Sequence, residues 1–215
     1  MPDYDFLEWN ESNFDVECCA YVREAYMQRK FAFVSDYARG HALLLRGGIY
    51  LDTDVEIVRR FDAFLCHRSF WGFETGNYAA TSTFGCVRGH EILAEYLSEY
   101  NQRRFVLADG SRDLATNVVT INRILERHGL VRDGKEQSFG QDNRCYPMSF
   151  FSPYDYVLCE SHRTNDTVAI HRYKLSWGSP ASRLRRVLAP ALAAVAKASG
   201  FGRLWSKLRR PRAQS

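Results

Sequence analysis

The densest chemical signal in the sequence is Tyr50-Leu51-Asp52-Thr53-Asp54. Two carboxylates spaced i, i+2 at the end of a strand face the same side. Hard divalent cations such as Mn²⁺ or Mg²⁺ take oxygen ligands, typically one or two protein carboxylates, with waters and substrate phosphates completing the shell. An ion held this way neutralises the charge that develops on a departing diphosphate. An Asp-x-Asp triplet alone is weak evidence, because such triplets also arise in solvated turns. Here an apolar strand-like run precedes it, and the double glycine Gly47-Gly48 precedes that run. A second pair, Asp36 and Arg39, is spaced i, i+3 and shares one helix face. Arg39 can offer bidentate donors to phosphate or sugar hydroxyls while Asp36 orients it. The bland alternative is a surface ion pair worth under ~0.5 kcal/mol.

The elements around these residues decide between the two. FAFVS (31–35) carries no charge and reads as a short buried strand. Ser35 can cap a helix through DYARGHALLLR, with Asp36 in its first turn. Tyr37, Ala38, His41, Leu44 and Leu45 give that helix an apolar face, and Gly47-Gly48 stops it. IYLD then reads as a second strand. Strand–helix–strand demands parallel strands and an α/β fold. Ligands of open α/β sheets bind outside the carboxyl ends of the strands, so Asp36, Arg39, Asp52 and Asp54 are expected to converge on one cleft. Elsewhere, 15–30, 89–101 and 113–129 read as helices, the last ending at Gly129. CYPMSFFSPYDYV reads as extended edge structure or loop. Gly40 inside the helix costs about 1 kcal/mol against Ala.

A length of 215 residues suits one domain with an appendage, and 46% hydrophobic content supports a real core. The net charge of +4 hides an asymmetry: no Asp or Glu follows Asp166, and nine basic side chains lie in 181–215. The first 180 residues therefore carry about −5 and the tail +9. The six cysteines show neither zinc-type pairs nor a secreted disulfide framework, and are expected as reduced, mostly buried thiols. The acidic N-terminus is no signal peptide, and no stretch reaches the length of a spanning helix. These features point to a cytoplasmic protein.

The segments WNESNF (9–14), FAFVSDYAR (31–39) and GGIYLDTDVEI (47–57) together resemble the sugar-binding region of glycosyltransferase family 32. That family includes bacterial capsular and exopolysaccharide glycosyltransferases and fungal initiating mannosyltransferases, with the clostridial glucosylating toxins as distant relatives. The match is close over 4–62, looser through NQRRFVLADGSRD and TNVVTINRIL, and returns in AIHRYKLSW (169–177). It implies a GT-A-like mixed sheet flanked by helices, a divalent cation (Mn²⁺ or Mg²⁺), and retaining transfer from a UDP- or GDP-sugar to a glycan or lipid-linked acceptor. By position it makes Asp36, Arg39, Asp52 and Asp54 catalytic. Ser35, Asp36, Arg39, Tyr50, Asp52 and Trp177 would bind the donor, and Asp52, Asp54 and His171 the metal. Ser176 is a lesser candidate. Family members carry a first strand before the segment matching PDYDFLEWN. A start assigned too far downstream, a truncation or a lost strand would each account for its absence here, and the last leaves a second reading: a catalytically impaired remnant that binds nucleotide sugar or glycan.

Residues 1–180 are thus expected to form the catalytic domain and 181–215 a basic amphipathic tail. In the tail, Leu184, Val187, Leu188, Ala191, Leu192 and Val195 line one face, and Phe201, Leu204, Trp205 and Leu208 form a second. An apolar face beside a basic patch suits an anionic membrane surface, here the inner face of the cell membrane. Few stacking aromatics speak for nucleic acid. A packed or solvated tail is the alternative.

Overall fold

The computed structural model describes residues 3–155 and 160–173. Helices α1 (Ala20–Met27) and α2 (Phe31–Arg46) lead into strands β1 (Gly48–Leu51) and β2 (Val55–Ile57). A 3-10 turn at Asp62–Phe64 precedes β3 (Ser69–Glu74), β4 (Tyr78–Ala79) and β5 (Thr83–Cys86). Helices α3 (Glu91–Asn101) and α4 (Asn117–Arg127) follow, then β6 (Gln137–Phe139), β7 (Asn143–Tyr146) and the short α5 (Met148–Phe151). The last elements are β8 (Tyr154–Asp155), β9 (Glu160–Ser161) and β10 (Ala169–His171).

The main sheet runs β1-β5-β3-β7-β6, with β4 hydrogen-bonded to β3. β3 and β7 are parallel and the other pairs antiparallel, so the sheet is mixed. β2 and β10 form a separate antiparallel ribbon. Alternation along β3 divides the apolar residues between two layers. Trp71 and Phe73 join the cluster built from α1–α4, where Trp71 stacks on Phe84 at 4.5 Å. Phe70 joins Phe61, Phe64, Tyr146 and Phe151 on the opposite face, under α5 and the ribbon. This is the expected α/β architecture, a mixed sheet flanked by helices.

Several sequence expectations are corrected. FAFVS is not a strand; it forms the first turns of α2. A short uncharged run has no period of its own that separates a strand from a buried helix segment. Val34, Tyr37, Gly40 and Leu43 are buried at spacings of three, which is a helix face. Ser35 therefore caps nothing, and its Oγ donates to the Ala32 carbonyl at 2.7 Å. Asp36 lies in the second turn of α2, not the first. The parallel crossover disappears with the strand, and β1 pairs antiparallel with β5. Of the aromatic segment, Cys145 and Tyr146 are not edge structure, because they end β7, which lies between β3 and β6, and Met148–Phe151 form α5 instead of an extended run. Five described cysteines are free, but only Cys86 and Cys145 are buried. Helices α1, α3 and α4 fall inside the expected segments, and Gly129 follows α4 with φ +100°. No helix among the described residues is long and apolar enough to cross a membrane. The tail lies outside the described residues.

Gly40 has a packing reason. A Cβ built there would stand 2.9 Å from two ring carbons of Tyr96, whose hydroxyl donates to the Asp36 carbonyl at 2.8 Å. The ring is fully buried between α2 and α3 and cannot swing aside cheaply. Helix propensity alone favours Gly40→Ala by about 1 kcal/mol, whereas overpacking costs typically 1–3 kcal/mol. The clash is expected to win. Urea unfolding should show Gly40→Ala less stable than wild type, and a more stable variant would refute this packing account.

Candidate active site

The site forms where β1 ends. Asp52 leaves the sheet with its N–H donating to the Ser82 carbonyl at 2.8 Å, and its own carbonyl accepts from Val55 at 3.0 Å to close a turn. Asp54 lies on the far side of that turn, with its carbonyl accepting from the Arg172 N–H at 2.9 Å. The two carboxylates are thus brought together by a turn and not by strand alternation. Pairing of β2 with β10 sets His171 opposite Val55, and its Nε2 lies 3.2 Å from Asp54 Oδ1.

Arg39 reaches this turn from α2. Its guanidinium is buried, 3.2 Å from Asp36 and 3.4 Å from Asp52. Nε donates to the Ser35 carbonyl at 3.2 Å, Nη1 to the Thr81 carbonyl at 2.7 Å, and Nη2 to Ser35 Oγ at 3.3 Å. The Tyr50 ring lies 4.8 Å beneath it, and the Tyr50 hydroxyl donates to Asp52 Oδ1 at 2.7 Å. The expected contact from Arg39 to a diphosphate therefore meets a guanidinium whose N–H groups are engaged within the protein. Arg39 enters the site chiefly through the two carboxylates that it holds.

Burial pushes the Asp36 carboxyl up to about 7; Arg39 opposes this and Asp52 adds to it. Glu74, at the end of β3, is likewise pushed up to about 7 by burial, against the Tyr173 hydroxyl and with Asp52 adding. Burial holds the His171 imidazole below its ordinary value despite Asp54 and Asp52, which favours the neutral, ligating form.

One donor atom each from Asp52, Asp54 and His171 lies within 4.8 Å of the other two. Ligands at about 2.1 Å from an octahedral cation stand roughly 3–4 Å apart, so small adjustments would close the set around one ion. The donor set and spacing fit a hard or borderline divalent cation. Burial of a neutral imidazole beside two carboxylates supports that fit.

Residues 1–71 match the family model described as "Glycosyltransferase sugar-binding region containing DXD motif". The resemblance read from the sequence is borne out over this segment. The matched segment contains Ser35, Asp36, Arg39, Tyr50, Asp52 and Asp54, while His171 comes from beyond it. No curated protein and no solved structure matches the chain.

The structure brings together Ser35, Asp36, Arg39, Tyr50, Asp52, Asp54 and His171. Ser176 and Trp177 lie outside the described residues. Sequence reasoning missed Thr81, Asn117, Glu74 and Tyr173. Thr81 accepts from Arg39, and Asn117 donates to Thr81 Oγ1 at 3.0 Å. At the start of α4, the Asn117 backbone N–H helps to lower the Asp36 carboxyl against the push of burial. None of these residues belongs to a spacing pattern; strand pairing and the placement of α4 deliver them.

Removing one member of a buried ion pair typically costs 3–5 kcal/mol. Arg39→Ala is expected to lose about that much in chemical unfolding, and a loss near zero would contradict the central role given to Arg39. Glu74 adds a pH dependence. A raised folded value means that its contribution to stability is complete below the ordinary Glu value of about 4.3 and is lost as pH rises through about 7. In cation-free buffer, wild type should lose more stability between pH 5 and pH 8 than Glu74→Gln. Equal losses would contradict the burial assigned to Glu74.

Proposed function

We propose that this chain is a divalent-cation-dependent glycosyltransferase acting on a UDP- or GDP-sugar. In this reading it transfers the sugar, with retention, to a glycan or lipid-linked acceptor in bacterial capsular or exopolysaccharide synthesis. The observation that carries the reading is the Asp52–Asp54–His171 donor set standing beside an Arg39-anchored Asp36, with both aspartates of the set, Asp36 and Arg39 inside the matched segment 1–71.

Asp52, Asp54 and His171 hold the cation, Mn²⁺ or Mg²⁺. When bound, it supplies the positive charge that stabilises a leaving diphosphate. Asp36 offers a carboxyl to a donor-sugar hydroxyl, and Arg39 keeps that carboxyl and Asp52 in fixed relation. Tyr50 buttresses Asp52 from below. An open groove of about 340 Å³, lined by Arg163, Ile170, His171 and Arg172, offers the acceptor a place beside His171. The bond from the anomeric carbon to the diphosphate oxygen breaks, and the acceptor oxygen bonds to that carbon on the same face. The acceptor proton passes to the departing diphosphate. Residues 1–180 form the catalytic domain in this reading. The basic tail, 181–215, rests on the anionic inner face of the cell membrane, which places the enzyme in the cytoplasm beside lipid-linked acceptors.

Calorimetric titration with UDP and GDP, each with and without Mn²⁺, tests the reading directly. One nucleotide should bind in a Mn²⁺-dependent way. A panel of its sugars should then reveal donor hydrolysis that falls on the order of 10²-fold or more in Asp54→Asn. Cation-independent binding, or hydrolysis that survives that substitution, would overturn it.

A further inference from the structure

A metal-ligating histidine ordinarily donates its second ring nitrogen to a carboxylate or carbonyl, which fixes the tautomer and the ring plane. His171 departs from this. Its Nδ1 is buried and has no hydrogen-bond partner among the described residues. The Asp54 contact orients Nε2 in this structure, but once a cation takes that nitrogen the ring needs another support.

Tyr173 is placed to do so. Its ring lies 3.9 Å from the imidazole, centroid to centroid, at 34°. The backbone of Tyr173 has φ +48°, a left-handed conformation that a non-glycine residue keeps only where its surroundings impose it. The Tyr173 hydroxyl donates to Glu74 Oε2 at 3.5 Å, the long end of a hydrogen bond. Glu74 in turn ends β3, a central strand paired on both sides. A line of contacts therefore runs from the rigid sheet through a carboxyl and a phenol to the imidazole. We propose that Glu74 and Tyr173 are a positioning pair for His171, fixing the imidazole by close, tilted ring contact in place of a hydrogen bond to Nδ1. The inference rests on the cation site of the proposed function and adds two residues to it, neither of which touches the ion.

Loss of an outer partner of a metal ligand typically weakens metal affinity 10–100-fold. Electron paramagnetic resonance of free Mn²⁺, titrated with the full chain, reads that affinity without any need for turnover. Glu74→Ala and Tyr173→Phe are each expected to weaken Mn²⁺ binding about 10–100-fold. The double variant should be little weaker than either single one, because both break the same line. Glu74→Gln keeps an acceptor for the Tyr173 hydroxyl and should bind Mn²⁺ close to the wild-type affinity. Thermal unfolding of each variant by circular dichroism checks that it is folded at the titration temperature. Folded variants that bind Mn²⁺ as wild type does would overturn the positioning pair and leave the proposed function intact. Equal weakening in Glu74→Gln and Glu74→Ala would also overturn it, since Glu74 would then act through charge. A wild-type chain that binds no Mn²⁺ would overturn both readings together.

Discussion

One buried guanidinium holds the functional half of this molecule in register. Arg39 lies between α2 and the end of β1, and its neighbours are the Ser35 and Thr81 carbonyls and the carboxylates of Asp36 and Asp52. A buried cation is costly unless its donors are satisfied and its charge is paired. Here both conditions are met by residues from three separate segments, so none of those segments can shift without leaving a charge or a donor unmatched. Two carboxylates nevertheless share one cation. With Asp54 and Glu74 nearby, the pocket holds more negative than positive charge. Burial drives the upward push on Asp36 and Glu74, Asp52 adds to it, and Arg39 opposes it. A pocket of this kind favours the arrival of a cation, and the donor set lies at the side where Asp54 and His171 complete it.

Asp36, Arg39, Asp52 and Asp54 meet as their sequence pattern suggests, but not through the parallel crossover that the pattern implies. A helix that turns straight into a strand is sufficient. Arg39 lies seven residues before the end of α2, about 10 Å along its axis. Asp52 lies four residues into the returning chain, about 13 Å from Gly48. The reversal at Gly47, with φ +70°, folds these two lengths back to nearly the same level. The double glycine was therefore informative, although its use is a reversal of direction as well as a helix stop. The error at 31–35 had little effect on the site because Asp36 and Arg39 share a helix in either case, although the buried face runs through Val34, Tyr37, Gly40 and Leu43, and Leu45 of the expected face is exposed.

Other parts were illegible for a physical reason. Glu74, Thr81 and Asn117 are single polar residues in three unrelated segments. Their proximity follows from β3 pairing with β4 and β5, and from α4 starting beside Asp36. Nothing in local periodicity encodes a long-range strand partner. The aromatic run near Cys145 misled for a related reason. Pro147 does interrupt the chain, but it does so after β7 has crossed the centre of the sheet, where it caps α5. A proline argues against a central strand only when it falls within one.

The Asp-x-Asp spacing also acquires a different meaning from the one that strand geometry suggests. Asp52 is tied by its N–H to Ser82 of the six-stranded sheet, and Asp54 by its carbonyl to Arg172 of the β2–β10 ribbon. The single residue between them spans the break between two sheets. An alternating strand would set two carboxylates side by side with no third partner. The turn instead places the second one within reach of a histidine more than a hundred residues later in the sequence. The distance between the two carboxylates is then governed by the docking of the ribbon as much as by the turn. Docking depends on Val168 and Ala169, which are buried against Phe61, Phe64 and Phe151. An apolar cluster on the far face of the sheet thereby sets the geometry of a charged site at its edge, and any substitution that loosens those aromatics acts on the donor set without touching it.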